Sequence, residues 1–307
     1  MVDVLKIAIV QTTLDSRVTW NQDDVDYPKM AKLEADRIWK EIESSATSID
    51  SLSDSERPHI LVMPEFGAAR DRQNDLISLS DKLGAIVISG LDFRQDGLDV
   101  HNEALVAIPY NWPDKKGTAK KKHFLFGKVF PSPEERQAID NHKVSTDCLK
   151  FKSAEAVYIL DLEDYGKVGL AICADFYDLN RFLLYRGRIQ HLILVAYNKD
   201  LKSFLHLAES ISRIVYCNVV VCNTGYYGGS LVFTPADKEY KRYIYRHEGA
   251  KLFTMQVVEV PVESLYKAQQ KINEGNNGYK SVPPGYELIG FSPRDPYTST
   301  LKEEKVI

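Results

Sequence analysis

KVGLAICADFYDLNRF, residues 167–182, carries an apolar run that stops at a cysteine and passes at once into Ala, Asp and an aromatic pair. A short run rich in Val, Leu and Ile reads as a strand buried on both faces. Cys173 then stands where strand gives way to helix. Buried cysteine often only fills a core, so the rest of the chain must show whether this sulfur has a chemical role.

Similar runs recur at LKIAIVQ (5–11), HILVMPEF (59–66), AIVISGLDF (85–93), NEALVAIPY (102–110), HLILVAYN (191–198), NVVVCNTG (218–225) and LFTMQVVEV (252–260). Helical spacing separates several of them. Residues 28–45 place Met30, Leu33, Ile38 and Ile42 at that spacing, 75–84 end on the helix-stopping Gly84, and 203–217 carry Leu205, Leu207 and Ile211. Strands alternating with helices predict a layered α/β fold. The Ser/Asp-rich stretch 44–58 reads as an exposed connector. From residue 263 the chain turns rich in Pro, Gly, Asn and Tyr, which predicts a main unit over 1–262 and an extension over 263–307 packed on the core or on a partner.

Across 307 residues, 44% are hydrophobic and 27% charged, which is enough apolar material for a large core. A formal charge of −4 gives no bulk attraction to nucleic acid or to an anionic membrane, and neither is expected as a partner. No apolar run approaches the roughly 20 residues of a membrane span, and LKIAIV is too short for a signal-peptide core. A cytoplasmic location is expected. The four cysteines are sparse. Cys217 and Cys222 lie an odd distance apart on a strand, hence on opposite faces, which argues against a shared metal. KKGTAKKKH (115–123) reads as a solvated loop and YYGGS (226–230) as a tight turn.

Three places could carry chemistry. In LVMPEFG, Glu65 follows a strand directly, and open α/β sheets hold ligands at strand ends. In KVFPSPEER (128–136), a lysine, a proline break and two acids occupy a stretch of little apparent regularity. Cys173 is the third. An unperturbed thiol has a pKa of about 8.5, so a nucleophilic cysteine needs a base or a cation beside it. None of the seven histidines stands in a recognisable Cys/His pattern. A carboxylate base with a lysine to hold an oxyanion is the other coherent set.

Together these pieces resemble the nitrilase, or carbon–nitrogen hydrolase, superfamily, which has a Glu–Lys–Cys triad in this chain order. LVMPEFG matches its first acid and GLAICAD its cysteine. HNEALVAI, through Asn102, and CNTGYYGGSLVFTPAD, through Asn223, Gly225, Gly228, Gly229, Ser230 and Pro235, are similar to weaker motifs, and the resemblance spans about residues 4–262. It implies a four-layer αββα sandwich and catalytic roles for Glu65, Lys128 and Cys173. Lys128 is preferred to Lys121 because KVFPSPEER resembles the lysine motif of nitrilase-like branches and supplies a second acid, Glu135, with Glu134 as the fallback. Ala174 would offer an oxyanion N–H, and Tyr197 and Asn198 would border the substrate.

The implied reaction is thiol-dependent hydrolysis of a small amide, or of an N-carbamoyl compound or nitrile, with no metal or organic cofactor. A homodimer or larger homo-oligomer is the implied assembly. Two departures stand out. The residue after the cysteine is often aromatic and is Ala174 here, and RIVYC (213–217) keeps Arg213 but loses the acid and Asn usual in that helix. They keep open an inactive binding module, or an amidase part of a larger system.

Overall fold

Alternation along the strands decides how the layers stack. The computed structural model describes residues 1–15, 29–110, 112–113, 122–144, 147–270, 278–288 and 301–306. One sheet contains β1 (Val4–Gln11), β2 (Ile60–Val62), β3 (Ile86–Gly90), β4 (Glu103–Ile108) and β5 (Lys122–Gly127), and is closed on its other edge by β12 (Thr254–Pro261), in the order β12-β1-β2-β3-β4-β5. The second contains β6 (Val157–Asp161), β7 (Lys167–Ile172), β8 (His191–Ala196), β9 (Asn218–Asn223), β10 (Ser230–Phe233), β11 (Tyr243–His247) and β13 (Leu301–Lys305), in the order β11-β10-β9-β8-β7-β6-β13. Strands β1, β2 and β3 run parallel, as do β7, β8 and β9, while the outer neighbours are mostly antiparallel.

In the first sheet, Leu5, Ile7, Ile9, Ile60, Val62, Ile86 and Ile88 join the core shared with the second sheet. Their neighbours Ala8, Val10, Leu61, Met63 and Val87 face the other way. There they meet Ile38, Ile42 and Ile49 of α1 (Lys32–Asp50) and Leu76 and Leu83 of α2 (Gln73–Leu83). Period 2 on the strands against period 3.6 on the helices makes this interface. Each fully buried Ile or Leu contributes about 1.5–3 kcal/mol. The second sheet is covered by Phe182 and Tyr185 of α4 (Leu179–Tyr185) and Phe204, Ala208 and Ile211 of α5 (Leu201–Ile211). The result is helices, sheet, sheet, helices, the layered sandwich expected from the sequence.

Two local expectations fail. Stretch 44–58 is not a connector throughout, because α1 runs to Asp50. Its serines and threonine bond back within the helix, Ser45 Oγ to Glu41 O at 3.1 Å and Thr47 Oγ1 to Glu43 O at 2.9 Å. Meanwhile Ala46 and Ile49 continue the buried stripe. KVFPSPEER is not irregular either. Helix α3 (Pro133–Asn141) starts inside it, with Ser132 as N-cap, Pro133 at the first turn and a reciprocal capping box to Glu135.

Beyond residue 262, α6 (Glu263–Gln270) sets Leu265 and Ala268 against Tyr216, Tyr279 and Tyr286, and β13 adds to the edge of the larger sheet beside β6. Among the described residues, no helix is long and apolar enough to cross a membrane.

Candidate active site

Glu65 is delivered by a turn with no slack. Strand β2 ends at Val62, Met63 N–H still bonds Ile88 O at 2.8 Å, and Pro64 O accepts from Gly67 and Gly90. A Cβ on Gly90 would lie 2.5 Å from Glu65 Cα and 2.6 Å from Phe66 N, so only glycine lets β3 run under this turn. The Glu65 carboxylate is thereby fixed inside, 2% exposed. Its Oε1 accepts from Lys128 Nζ and Asn102 Nδ2, each at 2.8 Å, and its Oε2 from Tyr197 N–H at 3.0 Å.

Cys173 follows the last residue of β7, and its φ of 42° lies in the left-handed region. For a non-glycine residue that conformation costs roughly 1–2 kcal/mol. It turns the side chain out of the strand and into the cavity that Glu65 also lines. Sγ lies 3.9 Å from Tyr197 O.

Lys128 leaves β5 one residue past its end. Its ammonium sits between two acids, 2.8 Å from Glu65 Oε1 and 2.6 Å from Glu135 Oε2, and is 2% exposed. The capping box places Glu135, whose Oε2 also accepts from Ser132 N–H. Asn102 Nδ2 bridges the acids, donating to Glu135 Oε1 at 2.8 Å as well as to Glu65.

The loop after Lys128 is pinned by Asp175, two residues beyond the cysteine. Its fully buried carboxylate accepts from Val129 N–H and Phe130 N–H, both at 3.0 Å, and pairs with Arg181 at 2.8 Å. Asp175 thus ties the lysine loop to the turn that carries Cys173.

These contacts set the proton affinities. Burial, reinforced by the Glu65 charge, pushes the Cys173 thiol well above the ordinary range, so the resting group is the thiol. Burial also raises Glu65, against the pull of Lys128. Lys128 is desolvated too, but its two carboxylates hold it above the ordinary lysine value, so it stays an ammonium.

Glu65, Lys128, Glu135, Cys173, Ala174, Tyr197 and Asn198, all singled out in the sequence, therefore line one cavity of about 1130 Å³. Their engagement differs. Tyr197 holds Glu65 through its backbone. The Asn198 side chain is bound to Asp200 N and O, while Asn223 clamps its backbone through both N–H and C=O. Glu134 faces solvent and pairs with Lys199 at 3.0 Å. Lys121 lies outside the described residues. No histidine borders the cavity among the described residues.

Sequence reasoning had marked Asn102 only as a strand opener and had missed the roles of Asp175 and Gly90. The Ser132–Glu135 spacing was the available signal for α3.

No family model matches the chain, and no curated protein sequence does. Solved structures do. A mutant of the amidase from Nesterenkonia sp. with the acetamide moiety of fluoroacetamide added covalently at its active-site cysteine superposes with a TM-score of 0.59. It is 15% identical, over 84% of this chain and 91% of that one. Another mutant of that amidase, in complex with butyramide, gives 0.58 at 14% identity over 88% and 95%. A carbon–nitrogen hydrolase superfamily protein from Xanthomonas campestris with an arsenic adduct in its active site gives 0.57 at 12% identity over 88% and 95%. The chain has the fold of the nitrilase, or carbon–nitrogen hydrolase, superfamily.

Proposed function

We propose that this chain, built on the nitrilase fold, is a thiol-dependent carbon–nitrogen hydrolase with Glu65, Lys128 and Cys173 as its catalytic residues. The observation that carries the reading is the convergence of a buried carboxylate, a doubly paired ammonium and a strained cysteine in one cavity. Core filling needs none of these costs, since an unneeded buried charge set is no more stable than an apolar one.

Glu65 takes the Sγ proton as the sulfur attacks the carbonyl carbon of an amide, forming the C–S bond. The carbonyl π pair moves onto oxygen, where Lys128 Nζ and the Ala174 N–H hold the oxyanion. One such donor is typically worth about 10²–10³ in rate. The tetrahedral centre collapses, the C–N bond breaks, and Glu65 returns its proton to the departing nitrogen, leaving a thioester. Water attacks next, giving its proton to Glu65 while Glu135 keeps Lys128 in place. The C–S bond breaks, the thiol is re-formed and the acid is released. Glu65 is suited to both directions because burial raises its pKa above the ordinary carboxylate value and makes it the better proton acceptor.

A small amide is the first substrate class, followed by N-carbamoyl compounds and nitriles. The test is ammonia release from a panel of all three, with wild type and Cys173→Ala side by side. Release that vanishes in Cys173→Ala is the expected result. Silence across the panel, together with slow alkylation of Cys173 at neutral pH, overturns the reading.

A further inference from the structure

The walls of the cavity bear on what the hydrolase carries into it. Its volume of about 1130 Å³ exceeds the roughly 300–1,000 Å³ typical of pockets for drug-sized ligands. An acetamide-sized substrate would leave most of it to water.

One wall is a run of rings in contact. Phe93 and Phe66 are 5.0 Å apart between centroids, Phe66 and Tyr197 6.0 Å, and Tyr197 and Tyr227 5.4 Å. A second ring pair in the lining is Phe204 with Tyr177, 6.1 Å apart. At the mouth, Phe130 and Tyr177 keep about half of their surface exposed. Rings that line a cavity and are left partly wet at its mouth mark a surface that gains by being covered.

Charge adds a second, independent constraint. Among the described residues, five carboxylates line the cavity against two lysines. Lys128 is held by Glu65 and Glu135, and Lys199 pairs with Glu134. Asp178 and Asp200 are fixed as N-caps of α4 and α5, Asp178 beside Arg181 at 3.8 Å and Asp200 exposed to solvent. Hydrogen bonds from Ser203 keep Asp200 below the usual carboxylate range, so it is charged at neutral pH. An anionic substrate arm would meet these carboxylates in the cavity lining.

Resting on the hydrolase reading above, we infer that the substrate is a primary amide with a bulky, aromatic or similarly apolar, non-anionic acyl group. The ring of such a group would lie against the aromatic lining made by Phe66, Phe93, Tyr197, Phe204 and Tyr177, with its carboxamide at Cys173. N-carbamoyl amino acids and half-amides of dicarboxylic acids, which carry a carboxylate, are disfavoured by the same surface.

The experiment compares propionamide, 3-phenylpropionamide and succinamate in two assays. The first is kcat/KM for ammonia release by wild type. The second is binding of the same three compounds to Cys173→Ala by ligand-observed NMR. Burying a phenyl ring favours 3-phenylpropionamide over propionamide by about 10–100-fold, and succinamate should fall below propionamide in both assays. Tyr177→Ala, at the exposed mouth, and Phe93→Ala, in the wall, should each shrink the aryl-to-alkyl ratio at least several-fold. Equal binding of the aryl and alkyl amides, or tighter binding of succinamate, overturns the inference. Loss of turnover for all three with the aryl preference intact in binding would overturn the hydrolase reading and leave the cavity assignment standing.

Discussion

Glu135→Gln isolates the electrostatic logic of the site. Glu65 and Glu135 grip one ammonium at 2.8 and 2.6 Å, so the two oxygens that touch it are no more than 5.4 Å apart. At an effective dielectric constant near 20, two like charges at that distance repel by about 3 kcal/mol, or about 2 pH units on the weaker acid. That repulsion is one of the causes that raise Glu65. Removing it lowers the Glu65 pKa, and so does the second consequence, since Lys128 is then shared with no other carboxylate. Both effects have the same sign.

The substitution has a local cost as well. Ser132 N–H and Lys128 both donate to one Glu135 oxygen and Asn102 Nδ2 to the other, so the new amide must turn its NH₂ toward the Asn102 donor. An unsatisfied donor of this kind costs about 1–3 kcal/mol, which a domain of ordinary stability survives.

The assay needs no substrate. Iodoacetamide alkylation of Cys173 is followed from pH 4 to 9 in a Cys148→Ser background, because Cys148 is the exposed free cysteine. With Glu65 as the base, the acid limb of the rate profile reports its ionisation. Glu135→Gln should move that limb to lower pH by about 1–2 units. A limb that stays put or moves upward in a folded variant would refute the assignment of Glu65 as the base and the coupling behind it.

Three further outcomes follow from the same geometry. Asp175→Asn should lose about 3 kcal/mol of stability in urea, because the buried Arg181 gives up its carboxylate at 2.8 Å and keeps only Asp178, at 3.8 Å. It should also lose about 10²-fold in turnover as the Lys128 loop loosens, and turnover within threefold of wild type would contradict the clamp. Gly90→Ala, whose Cβ would meet backbone at 2.5–2.7 Å, should cut turnover by about 10²-fold with circular dichroism unchanged, and wild-type rates would show that the Glu65 turn has slack. His191 is buried neutral between Tyr165 O and the Asn218 amide, and burial pulls its pKa down to about 4. The unfolded chain binds this proton with a pKa near 6.5, so stability is full above that value and falls as pH drops toward 4, by about 2 kcal/mol at pH 5. Urea midpoints at pH 7.5 and 5.0 should show that loss, and His191→Gln should remove this part of it.

How much of this was legible in the sequence depends on what each residue answers to. The buried strands announce themselves because both faces demand apolar side chains. Glu65 and Cys173 stand out because each follows such a run, where the change from apolar to polar is abrupt, whereas Lys128 is preferred to Lys121 only through the resemblance of KVFPSPEER to a family motif. Strand β13, LKEEK, gave no such signal. Among the described residues it pairs only with β6, and its acids find lysines, Glu303 with Lys167 and Glu304 with Lys122, so it needs no apolar run. The serines near the end of α1 read as loop because their bonds to carbonyls four residues back appear only once the helix exists. Asp175 and Asn102 were opaque for a different reason. Their partners lie 46 and 37 residues away, and no local pattern encodes a contact made by tertiary folding.

The layered fold explains why the site stands where it does. Glu65 comes from the first sheet and Cys173 from the second, each just past the carboxyl end of a parallel strand. Lys128 follows an outer strand of the first sheet and is tied by Asp175 to the nucleophile's turn in the second. No single element could hold a base, a cation and a thiol in hydrogen-bond reach, since side chains along one strand alternate between faces. Two sheets packed face to face can, because their strand ends meet at a common rim. Two carboxylates against one ammonium leave one negative charge uncompensated in the cavity. That surplus disfavours a thiolate at rest and leaves Glu65 able to accept the sulfur's proton when the carbon–sulfur bond forms. In the proposed mechanism the chemistry depends on the charge count as much as on the nucleophile, which is why a neutral amide at position 135 should be felt at Cys173.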